Sequence, residues 1–175
     1  GKELKHVLGG KGANLAEMTK LGLNIPPGFT ISTQACLEYF KDPKGLMEKI
    51  KPNVLEHLER LEKETNKKFG DIENPLLVSV RSGAPISMPG MMDTVLNLGL
   101  NDKSVVGLAK QTNNPRFAYD SYRRFIQMFG DVVMGIDDEK FERILTKYKR
   151  EKGRNTQDTD LDVSDLQKVI ADYKA

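Results

Sequence analysis

The chain has 175 residues, 38% hydrophobic and 30% charged, a balance that supports a packed core and excludes wholesale disorder. Its 27 Lys and Arg against 25 Asp and Glu leave a formal charge of +2, too little for a nucleic-acid interface built on a basic face. One cysteine, Cys36, cannot close an internal disulfide, no Cys/His cluster suggests zinc, and no apolar run nears the roughly 18 residues of a membrane span. The expectation is a soluble, cytoplasmic chain with neither a nucleic-acid nor a membrane partner.

The first glycine cluster, Gly9, Gly10 and Gly12, precedes a periodic stretch over 14–21. There Leu15, Met18 and Leu21 recur every third residue, as on one helix face. Gly22 suits a helix stop, Pro26-Pro27-Gly28 a turn, and Phe29-Thr30-Ile31 a short strand. Ser32 or Thr33 can cap a helix that reaches about residue 40. Asp42-Pro43-Lys44-Gly45 reads as a break, and Pro52 as the first turn of the next helix. Val54, Leu55, Leu58 and Leu61 form the stripe of that helix.

Leu76-Leu77-Val78-Ser79-Val80 is the strongest strand, and its nearly unbroken apolar run predicts burial on both faces. Residues 82–94, rich in Gly, Pro and Met and without period, read as a functional loop. Helical patterning takes over from 101. The clearest helix covers 115–134, with Phe117, Tyr122, Phe125, Phe129 and Val132 on neighbouring turns. The next covers 138–152, with Phe141, Ile144, Leu145 and Tyr148 facing inward. A last one starts at Asp162 or Ser164 and carries Leu166, Val169, Ile170 and Tyr173, with Ser164-Asp165-Leu166-Gln167 as a capping box.

Several residues could carry chemistry. Glycines before a helix let a phosphate approach the backbone, and Lys11 adds a mobile cation, yet the Walker spacing is missing and a plain turn has the same composition. Arg81 follows the buried strand, where ligands gather in open α/β sheets; it could fork onto a phosphate or pair with a nearby carboxylate. Met88-Pro89-Gly90-Met91-Met92-Asp93-Thr94 could cover a ligand with backbone amides, or fill gaps in a core. Arg116, Asp120, Arg123 and Gln127 share one helix face, with Arg124 on the next; an internally paired, solvated face is the simpler account. The basic run over 140–154 reads the same way. His57 falls on an apolar stripe as a core or rim residue, His6 has no carboxylate near it in sequence, and no paired acidic cluster marks a metal site.

In combination these segments are specific. Gly9-Gly10-Lys11-Gly12-Ala13-Asn14-Leu15-Ala16-Glu17-Met18 and Ile25-Pro26-Pro27-Gly28-Phe29-Thr30 resemble the N-terminus of the pyruvate phosphate dikinases. So do Ser79-Val80-Arg81-Ser82-Gly83-Ala84, the methionine-rich run through Leu100, and 114–128. The resemblance covers nearly the whole chain; phosphoenolpyruvate synthases and glucan water dikinases share only the glycine–lysine and Val-Arg-Ser patterns.

The resemblance implies an α+β fold, a partial ATP-grasp lobe with a small β-sheet and flanking helices over 1–100, followed by an all-helical subdomain over 101–175. It implies a parent enzyme that turns ATP, phosphate and pyruvate into AMP, pyrophosphate and phosphoenolpyruvate through a phosphohistidine, with Mg²⁺. Lys11 and Arg81 would contact the ATP phosphates, Gly90, Met92, Asp93 and Thr94 would form a phosphate-covering loop, and Arg124 would be a further phosphate-side arginine. Ala84-Pro85-Ile86 is assigned no role. The magnesium ligands and the phosphohistidine domain would lie outside this chain, which reads as a piece unable to complete the reaction alone. The piece is expected to be monomeric and the parent a homodimer, in cytoplasm, plastid or another organelle. The alternatives are a piece of a phosphoenolpyruvate synthase, or a stand-alone module docking an acidic partner through Arg116, Arg123 and the basic helix.

Overall fold

The computed structural model describes residues 2–84 and 92–175, and it is helix-rich with two small sheets, an α+β arrangement. The chain gathers into two compact units. The first comprises Gly1–Asn66 and Arg81–Asp93, the second Lys67–Val80 and Thr94–Ala175.

In the first unit, helix α1 (Lys5–Lys20) starts well before the expected residue 14 and runs through the glycine cluster. It does so by kinking at Gly9, whose φ of 68° and ψ of 173° lie in a region open essentially to glycine alone. The face that packs is made of small residues. Gly9 and Ala13 are buried, whereas Leu15, Met18 and Leu21 are exposed, so the expected apolar stripe is not the packed one. A Cβ at Gly12 would lie 3.0 Å from Thr30 Oγ1, so the segment around Thr30 approaches α1 closely. That segment, expected as a strand at 29–31, forms no strand.

Helix α2 (Thr33–Tyr39) is capped by Ser32, whose hydroxyl accepts from the Ala35 amide at 3.3 Å. Helix α3 (Pro43–Thr65) corrects the expected break. The Asp42 carboxylate accepts from the Gly45 amide at 3.1 Å and Pro43 occupies the first turn, so the quartet expected to break the chain is a helix start. Pro52 then falls inside the helix rather than at its beginning.

In the second unit, β1 (Lys68–Phe69) and β2 (Pro75–Leu76) pair in parallel, with Lys68 opposite Pro75 and Phe69 opposite Leu76. Strands β3 (Val78–Arg81) and β4 (Thr94–Leu98) form the other sheet. The expected strand over 76–80 is therefore divided at Leu77, where the chain changes partners. Its burial is also one-ended: Pro75 and Leu76 are buried, while Val80 is 52% exposed.

Four helices complete this unit: α4 (Ser104–Thr112), α5 (Pro115–Val132), α6 (Asp138–Lys152) and α7 (Val163–Tyr173). Asn114 caps α5 by accepting from the Phe117 amide at 3.0 Å, and Pro115 fills its first turn. α5 packs on β4, α4 and α7. Tyr122 is buried as expected, whereas Phe117 and Val132 are exposed; Ala118 takes the contact instead. One core joins Leu100, Val105, Ala118, Tyr122 and Ile170, and a second joins Phe141, Leu145, Leu161, Leu166, Val169 and Tyr173. Removing a Leu or Val of this size from water contributes about 1.5–3 kcal/mol.

Candidate functional site

The site grows out of the Gly9 kink. There the helix restarts at Gly10, with Lys11 partly buried in the turn that follows. The Gly10 amide leaves the helical ladder and donates to the Ala84 carbonyl at 2.7 Å. A Cβ on Gly9 would stand 3.3 Å from the Gly83 carbonyl carbon and 3.5 Å from the Ala84 nitrogen. Backbone thus lies directly on backbone, which only a residue without a side chain permits. Residues 82–84 continue straight from Arg81, the exposed last residue of β3. The two segments that sequence patterning singled out, around Lys11 and around Arg81, are therefore stitched together within the first unit.

Among the described residues neither Lys11 nor Arg81 has an ion pair or a side-chain hydrogen bond. The alternative of a strand-end arginine neutralised by a carboxylate is not found there. Further along, the Ser82 amide and hydroxyl both donate to the Asp93 carbonyl, at 3.0 and 2.9 Å. This double bond ties the start of the Gly/Pro/Met-rich segment to its end. Met92 is partly buried and Asp93 exposed beside that tie, Thr94 opens β4 in the second unit, and Gly90 lies outside the described residues.

Ala84 and Ser82 hold this arrangement together, and sequence reasoning gave neither a role. Ala84 acts through its carbonyl, and a main-chain acceptor leaves no side-chain signal to read. Ser82 could have been noticed, since a serine after a strand often bonds locally to backbone.

The face of α5 in the second unit is internally paired, as expected, but buried at Arg123 rather than solvated. Arg123 is 3% exposed; its Nε and Nη2 donate to Asp120 Oδ1 at 3.0 and 2.9 Å, and its Nη1 to Gln127 Oε1 at 3.3 Å. Burial works against this charge, and Asp120 outweighs it, holding the guanidinium above its ordinary value. The Tyr173 hydroxyl also donates to Gln127 Oε1, at 3.3 Å, and burial pushes that phenol up to about 12. Arg116 donates to the Leu161 and Asp158 carbonyls at 2.9 and 2.7 Å, pinning the chain between α6 and α7. Arg124, by contrast, has an exposed side chain, and its Nε forms an ion pair with Asp120 Oδ2 at 3.1 Å.

The basic helix α6 is likewise paired: Arg143 with Glu139, Lys147 with Asp172, Lys149 with Asp158, and Lys152 with Asp162 and Asp165. Arg116 and Arg123 are engaged internally and are not presented to an acidic partner. His57 is exposed rather than a core residue; its Nδ1 lies 2.8 Å from the Asn53 carbonyl and its ring 5.5 Å from that of Phe29. Among the described residues no group of three or more His, Cys, Asp or Glu is placed to hold a metal ion, and no helix is long and apolar enough to cross a membrane.

Comparison with known proteins fits this geometry. Residues 5–62 match the family model described as pyruvate phosphate dikinase, AMP/ATP-binding domain. The chain is 57% identical over 172 residues to the pyruvate, phosphate dikinase of Clostridium symbiosum, covering 98% of this chain and 20% of that protein. It is 58% identical over 173 residues to the enzyme of Giardia intestinalis, covering 97% of this chain and 19% of that protein. The chloroplastic enzyme of Mesembryanthemum crystallinum is 57% identical over 99% of this chain and 18% of its own length. The chain thus spans about a fifth of the length of the curated relatives it matches. It belongs to the pyruvate, phosphate dikinase family, as the N-terminal region that carries the AMP/ATP-binding domain.

Proposed function

We propose that this chain is the first lobe of an ATP-grasp nucleotide site in a parent dikinase that makes phosphoenolpyruvate, AMP and pyrophosphate from ATP, phosphate and pyruvate. The observation that carries the reading is the Gly10–Ala84 backbone bond, which joins the glycine–lysine turn to the end of β3. Lys11 and Arg81 contact the ATP phosphates. Gly90, Met92, Asp93 and Thr94 belong to a segment that covers them, its ends tied by Ser82, and Arg124 adds a further phosphate-side cation. In this division 1–100 provides the nucleotide-site subdomain and 101–175 the helical one.

Phosphoryl transfer asks a protein mainly for positioning and for positive charge around the phosphates. Two cations without carboxylate partners among the described residues supply the charge, and a helix restart whose first amide is fixed to backbone supplies the positioning. Magnesium ligands and the phosphohistidine domain belong, in this reading, to other parts of a homodimeric parent.

The test is made in the full-length dikinase that carries this segment. Lys11→Ala and Arg81→Ala are each expected to weaken Mg-ATP binding by about tenfold or more, the loss of a charge-assisted contact. Calorimetry giving unchanged affinity, with unchanged turnover, rejects both assignments.

A further inference from the structure

The geometry points to Asp120 as a positioning residue that holds Arg124 ready for a phosphate-bearing ligand, an inference that rests on the phosphate-side reading of Arg124. The carboxylate of Asp120 is divided between two arginines. Its Oδ1 accepts hydrogen bonds from both Nε and Nη2 of Arg123, and its Oδ2 forms an ion pair with Nε of Arg124 at 3.1 Å. The two guanidiniums differ sharply in surroundings: Arg123 is 3% exposed as a residue, and the Arg124 side chain is 61% exposed.

Arg123 cannot turn away from Asp120. Gln127 Oε1 accepts from its Nη1, and Gln127 is itself fixed by Tyr173, by Asp138 at 2.8 Å and by Glu142 at 2.9 Å. The buried network thus sets the orientation of one carboxylate, and its second oxygen projects that order to the surface. An isolated exposed ion pair contributes little to stability. The arrangement is better explained by what it does to Arg124.

Among the described residues the ion pair of Arg124 with Asp120 is made at Nε, Asp158 also feels its charge, and neither terminal nitrogen makes a hydrogen bond that would occupy the fork. That fork is the part of arginine that matches a phosphate bidentately. A long side chain otherwise loses rotamer freedom when it binds, and fixing it beforehand removes part of that cost.

The experiment uses the full-length dikinase with Mg-ATP as the probe, measuring its Kd by calorimetry and its KM and kcat by turnover. Asp120→Asn, Arg124→Ala, Arg124→Lys and the double variant Asp120→Asn/Arg124→Ala are compared. Asp120→Asn is expected to raise the Kd roughly fivefold through lost preorganisation, and to add nothing further in the Arg124→Ala background. Its effect on thermal stability, which comes from Arg123, should be the same in both backgrounds. Arg124→Lys leaves Asp120 and Arg123 undisturbed and keeps the charge but not the fork. It should lose about as much affinity as Arg124→Ala, which keeps the inference testable if Asp120→Asn does not fold.

An affinity loss for Asp120→Asn that persists in full without Arg124 would assign Asp120 a purely structural role and overturn the inference. So would a silent Asp120→Asn beside a damaging Arg124→Ala, or a fully active Arg124→Lys. A silent Arg124→Ala removes the phosphate-side reading of Arg124 itself, and the positioning role with it.

Discussion

At Gly9 the backbone adopts a φ of 68° and a ψ of 173°, and the Gly83 carbonyl carbon stands 3.3 Å from where a Cβ would be. Two independent penalties therefore meet any side chain there: a dihedral region that L-residues avoid, and a neighbour that is main chain and cannot swing aside. Gly9→Ala is expected to destabilise the protein by about 1–3 kcal/mol, read as a lower melting temperature of this chain. A variant that melts like the unsubstituted protein would mean the kink is not the native conformation. The glycine cluster was legible in sequence as a place where backbone meets something closely. What it meets first is the chain itself, at Ala84, and an acceptor carbonyl is invisible in a side-chain alphabet. The same limit hid the partition of Asp120, since a helix face shows that Arg123 and Arg124 are neighbours of Asp120 but not which of them is buried.

Among the elements, the helices over 115–134 and 138–152 were legible because long amphipathic stripes and proline or acidic starts agree with one another. Errors came where two signals competed for one boundary. Pro43 and Pro52 both suit a helix start, and the Asp42 carboxylate decides for the earlier one by taking the Gly45 amide. The apolar run over 76–80 has no internal punctuation, yet it serves two sheets in succession, and partner exchange is set by tertiary pairing. At α7 the capping box lies two residues before the expected Ser164: Asp162 accepts from the Asp165 amide at 3.0 Å, and Asp165 accepts from that of Asp162 at 3.1 Å. Asp162→Ala should cost about 1 kcal/mol in denaturant unfolding, and Ser164→Ala only a few tenths. The reverse order would return the cap to Ser164.

Across the molecule, a formal charge of +2 conceals extensive internal pairing in the second unit. Hydrogen bonding from Lys149 holds the Asp158 carboxyl below its ordinary value, and Lys174 does the same for Asp102. Asp162 is held down first by the Asp165 amide and then by Lys152. Each folded-state value lies below the unfolded one, so the stabilisation is complete above the ordinary carboxylate range and disappears as pH falls through the lowered values. The melting temperature should be nearly level from neutral pH to about 5 and fall below about 4. Lys149→Met should shrink that acid-side fall, because Asp158 then titrates closer to its unfolded value; an unchanged acid profile would deny the pair its role.

The first unit is assembled from two stretches of chain, Gly1–Asn66 and Arg81–Asp93, with Lys67–Val80 given to the second unit between them. During synthesis this imposes an order of events. The glycine kink leaves the ribosome before its partner exists, and the Gly10 amide must await the Ala84 carbonyl. At ordinary elongation rates, the delay between residues 66 and 84 is roughly one to four seconds. The stretch matched by the family model ends at residue 62, so an excised piece with that boundary would carry α1, α2 and most of α3 without the strand end that closes the kink. A nascent chain stalled in that interval would display the glycine turn as an open, unclosed helix break, and its closure would mark the moment the glycine–lysine turn acquires its final shape.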